Sequence, residues 1–315
     1  MEQHNKTSWL FPGQGSQYLG MGRDLWARAS RPLEIVEEAE EISGFPLRQI
    51  CLQGPAEELT RTDVLQPALT AMSLGCAHLL SEAGVRPDMV AGHSLGEFAA
   101  LCAAGVFSVT ECLRLVTARG RLMQEIAQQL QGGMAAVKRV APDLLRDVIE
   151  KSGTPVCVAN LNSADQIVIS GPNDGLAALV PRITAAGGEF VPLAVAGPWH
   201  HPSMEPAAES FRAVVDETEF RAARCPVYMN VSGAAETDAA RIKELVRVQM
   251  TSSVLWQTSI EAMFAGGARL FLEVGPGKVL RGLMRRIIPD EASYRVRGIE
   301  NQRSLQFLAT EAARP

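Results

Sequence analysis

The feature that most constrains this chain is a serine boxed in by glycines, Gly92-His93-Ser94-Leu95-Gly96, with apolar sequence on both sides. Residues 88–92 read as a short buried strand, and the run after Ser94 has helical composition as far as Gly105. A strand that turns sharply into a helix needs small residues at the turn, where the two backbones meet. In that setting a G-x-S-x-G lifts the serine hydroxyl above the sheet edge and aims the first N–H groups of the helix at an oxyanion. Ser94 is therefore the candidate nucleophile of an α/β fold.

The rest of the chain supports that fold class. Residues 8–11 form another apolar run, stopped by Pro12-Gly13 and followed by a loop that Gly13, Gly15 and Gly20 make pliable. Helices are expected at 33–43, at 66–83 with Gly84 as the C-cap, and at 109–130 with Arg119 in the middle. After Gly132-Gly133 a strand at 134–140, a helix at 142–151, strands at 156–159 and 166–170, a helix at 173–186 and a strand at 189–193 follow as β-α-β-β-α-β. That is the order of a ferredoxin-like unit. It reads as a small subdomain, 132–197, inserted into a larger α/β body made of 1–131 and 198–315. The body resumes with a helix after Pro202 and strands at 227–230 and 270–274.

Composition removes several function classes. A chain that is 47% hydrophobic and 21% charged can bury a core and is not disordered. Thirty basic against 35 acidic residues, net charge −5, create no positive field for nucleic acid or an anionic membrane. Residues 1–9 lack the basic and apolar regions of a signal peptide, and no uninterrupted apolar run reaches the roughly 18 residues of a bilayer span, so a cytoplasmic protein is expected. Cys51, Cys76, Cys102, Cys112, Cys157 and Cys225 are widely spaced with no C-x-x-C pair, which points to reduced structural thiols and no metal site.

A serine hydroxyl needs a base within hydrogen-bond reach. Of the five histidines, His4 lies in the terminal tail, His78 within a helix, and His93 beside the serine with its side chain expected to point elsewhere. His200 and His201 fall in a loop bounded by Gly197, Pro198 and Pro202. One of that pair is the expected base, and spacing does not choose between them.

Six segments in order now add a resemblance. The run from Phe11 to Gln17, the run from Gly92 to Glu97, the arginine-bearing stretch from Ala118 to Gln124, Gly133 to Val137, Asn160-Leu161-Asn162-Ser163, and Glu273-Val274-Gly275-Pro276-Gly277 resemble the signatures of the malonyl-CoA:acyl carrier protein transacylases and of polyketide synthase acyltransferase domains. The likeness covers nearly the whole chain. It implies a large α/β-hydrolase-like subdomain with a ferredoxin-like insert. It also implies a ping-pong transfer of a malonyl group from coenzyme A to the phosphopantetheine thiol of an acyl carrier protein, in fatty acid or polyketide biosynthesis. No bound cofactor is implied, since the coenzyme A thioester is the substrate, and the family prior is a monomer.

Residue by residue, the resemblance makes Ser94 the acyl carrier and His200 the base, with His201 a polar loop residue. It gives the backbone carbonyl of Gln249, seven residues before Trp256, the task of orienting His200, and the backbone N–H groups of Gln14 and Leu95 that of an oxyanion hole. Arg119 is implied to hold the free carboxylate of the acyl group, while Arg121 is an ordinary surface residue. His93, Asn160 and Asn162 are expected in the substrate cleft. Leu95 is similar to malonyl-selective members, and Trp199 would exclude an α-methyl branch, but Gly197-Pro198-Trp199-His200 departs from the family's usual loop and leaves the acyl group open. A carrier-protein hydrolase, a transferase for an unusual acyl or aminoacyl unit, and a non-catalytic carrier-docking subunit are the rival readings; Ser94, His200 and Arg119 weigh against the last. Lys278, Arg281, Arg285, Arg286, Arg295 and Arg297, against Asp290 and Glu291, form a basic patch that would suit an acidic carrier protein.

Overall fold

The computed structural model describes residues 5–27 and 30–312, so His4 lies outside the described residues. Among the described residues ten strands build two sheets: β1 (Lys6–Phe11), β2 (Met89–Gly92), β3 (Gly132–Lys138), β4 (Cys157–Ser163), β5 (Gln166–Pro172), β6 (Glu189–Pro192), β7 (Val227–Tyr228), β8 (Ala235–Glu236), β9 (Ala268–Val274) and β10 (Arg295–Ile299). The larger sheet has the order β10-β9-β1-β2-β7-β8, parallel except for the edge strand β8. The smaller is antiparallel with the order β4-β5-β3-β6. This is an α/β-hydrolase-like subdomain with a ferredoxin-like one inserted.

Both faces of the parallel sheet are covered, which is why its strands read as continuous apolar runs instead of alternating ones. Trp9, Phe11, Val90, Leu272 and Val274 face a core filled by the helices Arg31–Ser43, Thr62–Glu82, Gly96–Ala103, Val109–Ala127 and Glu205–Glu217. Leu10, Met89, Ala91 and Phe271 face the other way, onto Trp256–Ala265 and Val279–Ile287. Thr62–Glu82 is long and apolar enough to cross a membrane by composition, yet 89% of its apolar window is buried inside the fold as a core helix. In the small sheet the same alternation divides labour. Ala135, Val137, Ile167 and Ile169 pack on their own two helices, whereas Met134, Ala136 and Val168 turn toward the cleft.

Several elements differ from the sequence expectation. The helix expected from 66 begins at Thr62 with Pro67 inside it, and the one expected to reach 130 stops at Ala127. Its start is set by a capping box in which Ser108 accepts from the Glu111 N–H and Glu111 accepts from the Ser108 N–H. The helices Ala239–Val248, Trp256–Ala265 and Val279–Ile287 and strand β10 have no counterpart in the sequence expectation. Four cysteines are buried thiols, but Cys157 and Cys225 are only partly covered.

At the serine turn the glycines are set by crowding. A Cβ on Gly92 would overlap the backbone of Gly96, and one on Gly96 would overlap the carbonyl of Phe11. Backbone atoms cannot swing aside as a side chain can. Gly92→Ala and Gly96→Ala are each expected to cost at least about 3 kcal/mol, read as a lowered unfolding midpoint, whereas Gly282→Ala, with open space around it, should change little.

Candidate active site

Strand β2 ends at Gly92, and two residues later Ser94 sits at φ 50°, a left-handed conformation that a non-glycine residue adopts only when its surroundings impose it. The imposing contacts are visible. The Ser94 N–H donates to Asn230 Oδ1 at 2.7 Å, Asn230 Nδ2 donates back to the Gly92 carbonyl at 2.6 Å, and the His93 N–H donates to the Phe11 carbonyl at 3.0 Å. Asn230 thus bridges the two sides of the turn, a role that sequence reading missed.

His200 approaches from a loop 106 positions further along the chain, also at positive φ (62°), and its Nε2 lies 2.7 Å from Ser94 Oγ. Its Nδ1 lies 3.1 Å from the Gln249 carbonyl oxygen and 3.0 Å from that of Ser252. A carbonyl only accepts, so the ring proton belongs on Nδ1 and Nε2 keeps the lone pair that faces the serine. Burial, and then the charge of Arg119, push the His200 pKa down from 6.5 to about 3, so the ring is neutral and able to accept a proton. The Ser252 carbonyl is a second holder that spacing gave no reason to expect. His201 is more than a polar loop residue: it is buried, with Nε2 donating to the Pro155 carbonyl at 2.8 Å and Nδ1 accepting from the Ser203 N–H.

Arg119, only 1% exposed, brings its guanidinium into the same cleft. Nη2 donates to Gln249 Oε1 at 3.0 Å and lies 3.4 Å from Ser94 Oγ, Phe98 covers one face of the guanidinium at 5.6 Å, and Nε has no partner. Burial lowers its pKa to about 10, offset by the charge of Glu97, so it stays a cation. Glu97 is fully buried, and burial raises its pKa to about 7 against the pull of the Asn230 N–H, the Gln249 amide and Arg119. Arg121, by contrast, donates to the Ser43 carbonyl, away from the cleft.

The cavity measures about 380 Å³ and is lined by Gln14, His93, Ser94, Leu95, Arg119, Asn160, Asn162, Trp199 and His200 among others. Every side chain singled out from sequence as substrate-facing is therefore on one cleft. His93 Nε2 lies 2.7 Å from Asn162 Oδ1, which ties the elbow to β4. Among the described residues, the backbone N–H groups of Gln14 and Leu95 donate to no other group of the chain, which leaves both free for a ligand oxygen. Val279, Leu280 and Leu283 also line the cavity.

The basic patch needs correction. Arg281 is committed to buried Glu273 at 3.0 Å and to the Gly277 carbonyl, so it fastens its helix and does not wait for a partner. Arg285 pairs with Glu291, Arg286 pairs with Asp165 across to the small sheet, and Arg297 is engaged as well. Both Arg285 and Arg286 nonetheless stay at the surface in these ion pairs, and Lys278 and Arg295 are exposed as well.

Fold and site together define an α/β acyltransferase. A model of the acyl transferase domain matches residues 8–311. The chain is 40% identical over 288 residues to the malonyl CoA-acyl carrier protein transacylase of Bacillus subtilis (strain 168), covering 90% of each protein, and 40% identical to that of Synechocystis over 90% of this chain and 94% of the relative. Among solved structures, an acyl carrier protein S-malonyltransferase from Vibrio cholerae superposes with a TM-score of 0.91 at 35% identity, over 96% of this chain and 100% of the other. A malonyl-transacylase captured in complex with its type II polyketide acyl-carrier protein gives 0.91 at 34%, over 98% and 100%. The chain belongs to the malonyl CoA-acyl carrier protein transacylase family.

The titrations carry opposite signs. Unfolded chains protonate this imidazole near pH 6.5 and the folded protein only near 3, so His200 costs stability as the pH falls through that interval. Glu97 holds a proton in the folded state between 4.5 and about 7 that the unfolded chain has released, so its contribution fades as the pH rises there. For reactivity only the imidazole lone pair counts. Labelling of Ser94 by a serine-directed fluorophosphonate should keep its rate from about pH 8 down to about pH 5; a loss centred near 6.5 would contradict a buried neutral His200.

Proposed function

We propose that this chain moves a malonyl group from coenzyme A to the phosphopantetheine thiol of an acyl carrier protein, with Ser94 carrying the acyl group between the two. The Ser94 hydroxyl attacks the thioester carbon while His200 Nε2 takes its proton. The backbone N–H groups of Gln14 and Leu95 hold the oxyanion. As the carbon–sulfur bond breaks, the proton passes from His200 to the coenzyme A sulfur. In the second half the carrier thiol gives its proton to His200 and attacks the acyl-serine ester, and Ser94 leaves with that proton. No cofactor takes part in either half.

One observation carries the acyl-group assignment. Arg119 is a buried cation with no carboxylate in contact among the described residues and an unpartnered Nε, beside the Ser94 hydroxyl. A desolvated guanidinium left in that state is a receptor for an anionic planar group, and the free carboxylate of a malonyl unit supplies it. Trp199, 4% exposed in the cleft wall and packed by Gly197, limits the width available to a branched acyl chain.

For the carrier protein, the rim formed by Lys278, Arg285, Arg286 and Arg295 lies on and beside the helix whose Val279, Leu280 and Leu283 border the cleft. Its charge suits an acidic partner delivering a thiol on a long arm.

Intact-mass analysis after brief exposure to malonyl-CoA should show a malonyl adduct that Ser94→Ala abolishes and Arg119→Ala reduces by at least about 100-fold. An acyl-enzyme that releases free acid faster than it loads a carrier protein would favour a hydrolase instead. Lys278→Glu combined with Arg285→Glu should raise KM for the carrier protein about tenfold, with a much smaller effect on acylation by malonyl-CoA. Equal losses in both half-reactions would assign the rim to coenzyme A.

A further inference from the structure

The nucleophile, base and arginine do not use Glu97, although it is a carboxylate buried completely three residues after Ser94 in the otherwise apolar helix Gly96–Ala103. Its Oε1 accepts from the Asn230 N–H at 2.6 Å, and its Oε2 accepts from Gln249 Nε2 at 2.8 Å. Gln249 Nε2 spends its second proton on the Ser94 carbonyl at 2.9 Å, which leaves Gln249 Oε1 to face Arg119 Nη2 at 3.0 Å. Turned the other way, the amide would set its oxygen against two acceptors and its NH2 against a guanidinium. Glu97 therefore decides which end of the Gln249 amide Arg119 meets. We infer that Glu97 is a positioning residue that, through Gln249, holds Arg119 in the orientation that receives the acyl carboxylate.

The interposed amide has a physical purpose. A carboxylate in direct two-to-two contact with Arg119 would occupy the fork that the ligand needs. A neutral carbonyl oxygen holds one N–H and leaves the rest, while the negative charge stays one residue further off. The inference rests on Arg119 as the carboxylate receptor, so its test separates the two statements.

Acylation of Ser94 is measured with malonyl-CoA and with acetyl-CoA, which lacks the carboxylate, for the native protein, Glu97→Gln, Arg119→Ala and the double variant. Glutamine keeps the volume but offers one acceptor and one donor to two facing donors. Glu97→Gln is expected to lower kcat/KM for malonyl-CoA at least about tenfold, mainly through KM, and that for acetyl-CoA by less than about threefold. In the Arg119→Ala background it should add little. Equal losses for both thioesters, or a malonyl preference that survives Glu97→Gln but not Arg119→Ala, overturns the inference alone. A preference that survives Arg119→Ala overturns the carboxylate receptor and the inference with it. Should Glu97→Gln fail to fold, Gln249→Met, which removes the amide but keeps the carbonyl that His200 uses, must lose the malonyl preference; its retention overturns the inference.

Discussion

Backbone packed against backbone at the serine turn is the constraint on which the rest of the structure depends. Gly92 and Gly96 let β2 and the helix Gly96–Ala103 meet with nothing between them, and Gly13 lets the loop after β1 close onto the His93 carbonyl. That approach brings the N–H groups of Gln14 and Leu95, from segments 81 positions apart in the chain, to one cavity. It also forces the left-handed Ser94. Strain of that kind costs on the order of 1–3 kcal/mol and is held here by Asn230, which bonds on both sides of the turn. The parallel sheet, with cores on both faces, is the rigid support that offsets this cost.

Electrostatics explain why a carbonyl and not an acid holds the histidine. The site already contains Arg119 and Glu97, one cation and one carboxylate, both out of water. A further carboxylate at His200 Nδ1 would raise its pKa and attract the guanidinium away from the cleft. Two carbonyls, from Gln249 and Ser252, fix the tautomer without adding charge. Arg119 itself favours the neutral ring, because a second cation nearby is repelled. The base is therefore poised by what surrounds it, at the cost of proton affinity.

Much of this was legible in the sequence because its chemistry is local. The glycine-boxed serine, the strand before it and the helix after it lie within a few residues, and the β-α-β-β-α-β order of the insert is a pattern of spacing. His200 over His201, Arg119 as a ligand and the Gln249 carbonyl came from resemblance alone, since nothing in their spacing brings residues 94, 119, 200 and 249 together. What went unread is what contact creates. Asn230 and the Ser252 carbonyl act through bonds spanning 136 and 52 positions, and Arg281 looked like surface charge until Glu273, buried on β9, claimed it. Glu97 did leave a signal, an acid in a helix that is otherwise apolar.

The insert also takes part in the chemistry that the larger sheet supports. Val254 pairs with β4, its N–H donating to the Ala159 carbonyl and its carbonyl accepting from the Leu161 N–H, while Ser253 Oγ donates to the Val158 carbonyl. These bonds fall within the short segment from Gln249 to Trp256, whose carbonyls hold His200. On the other side of the loop His201 donates to the Pro155 carbonyl. The base is thus suspended between a segment bonded to β4 and a loop bonded to Pro155 just before that strand, and Asn160 and Asn162 reach the cleft from the same strand β4. The hydrogen bonds that fix the imidazole at Ser94 and the side chains that line the cleft are therefore anchored on the same strand, so the small sheet contributes to the position of the base as well as to the wall of the cavity.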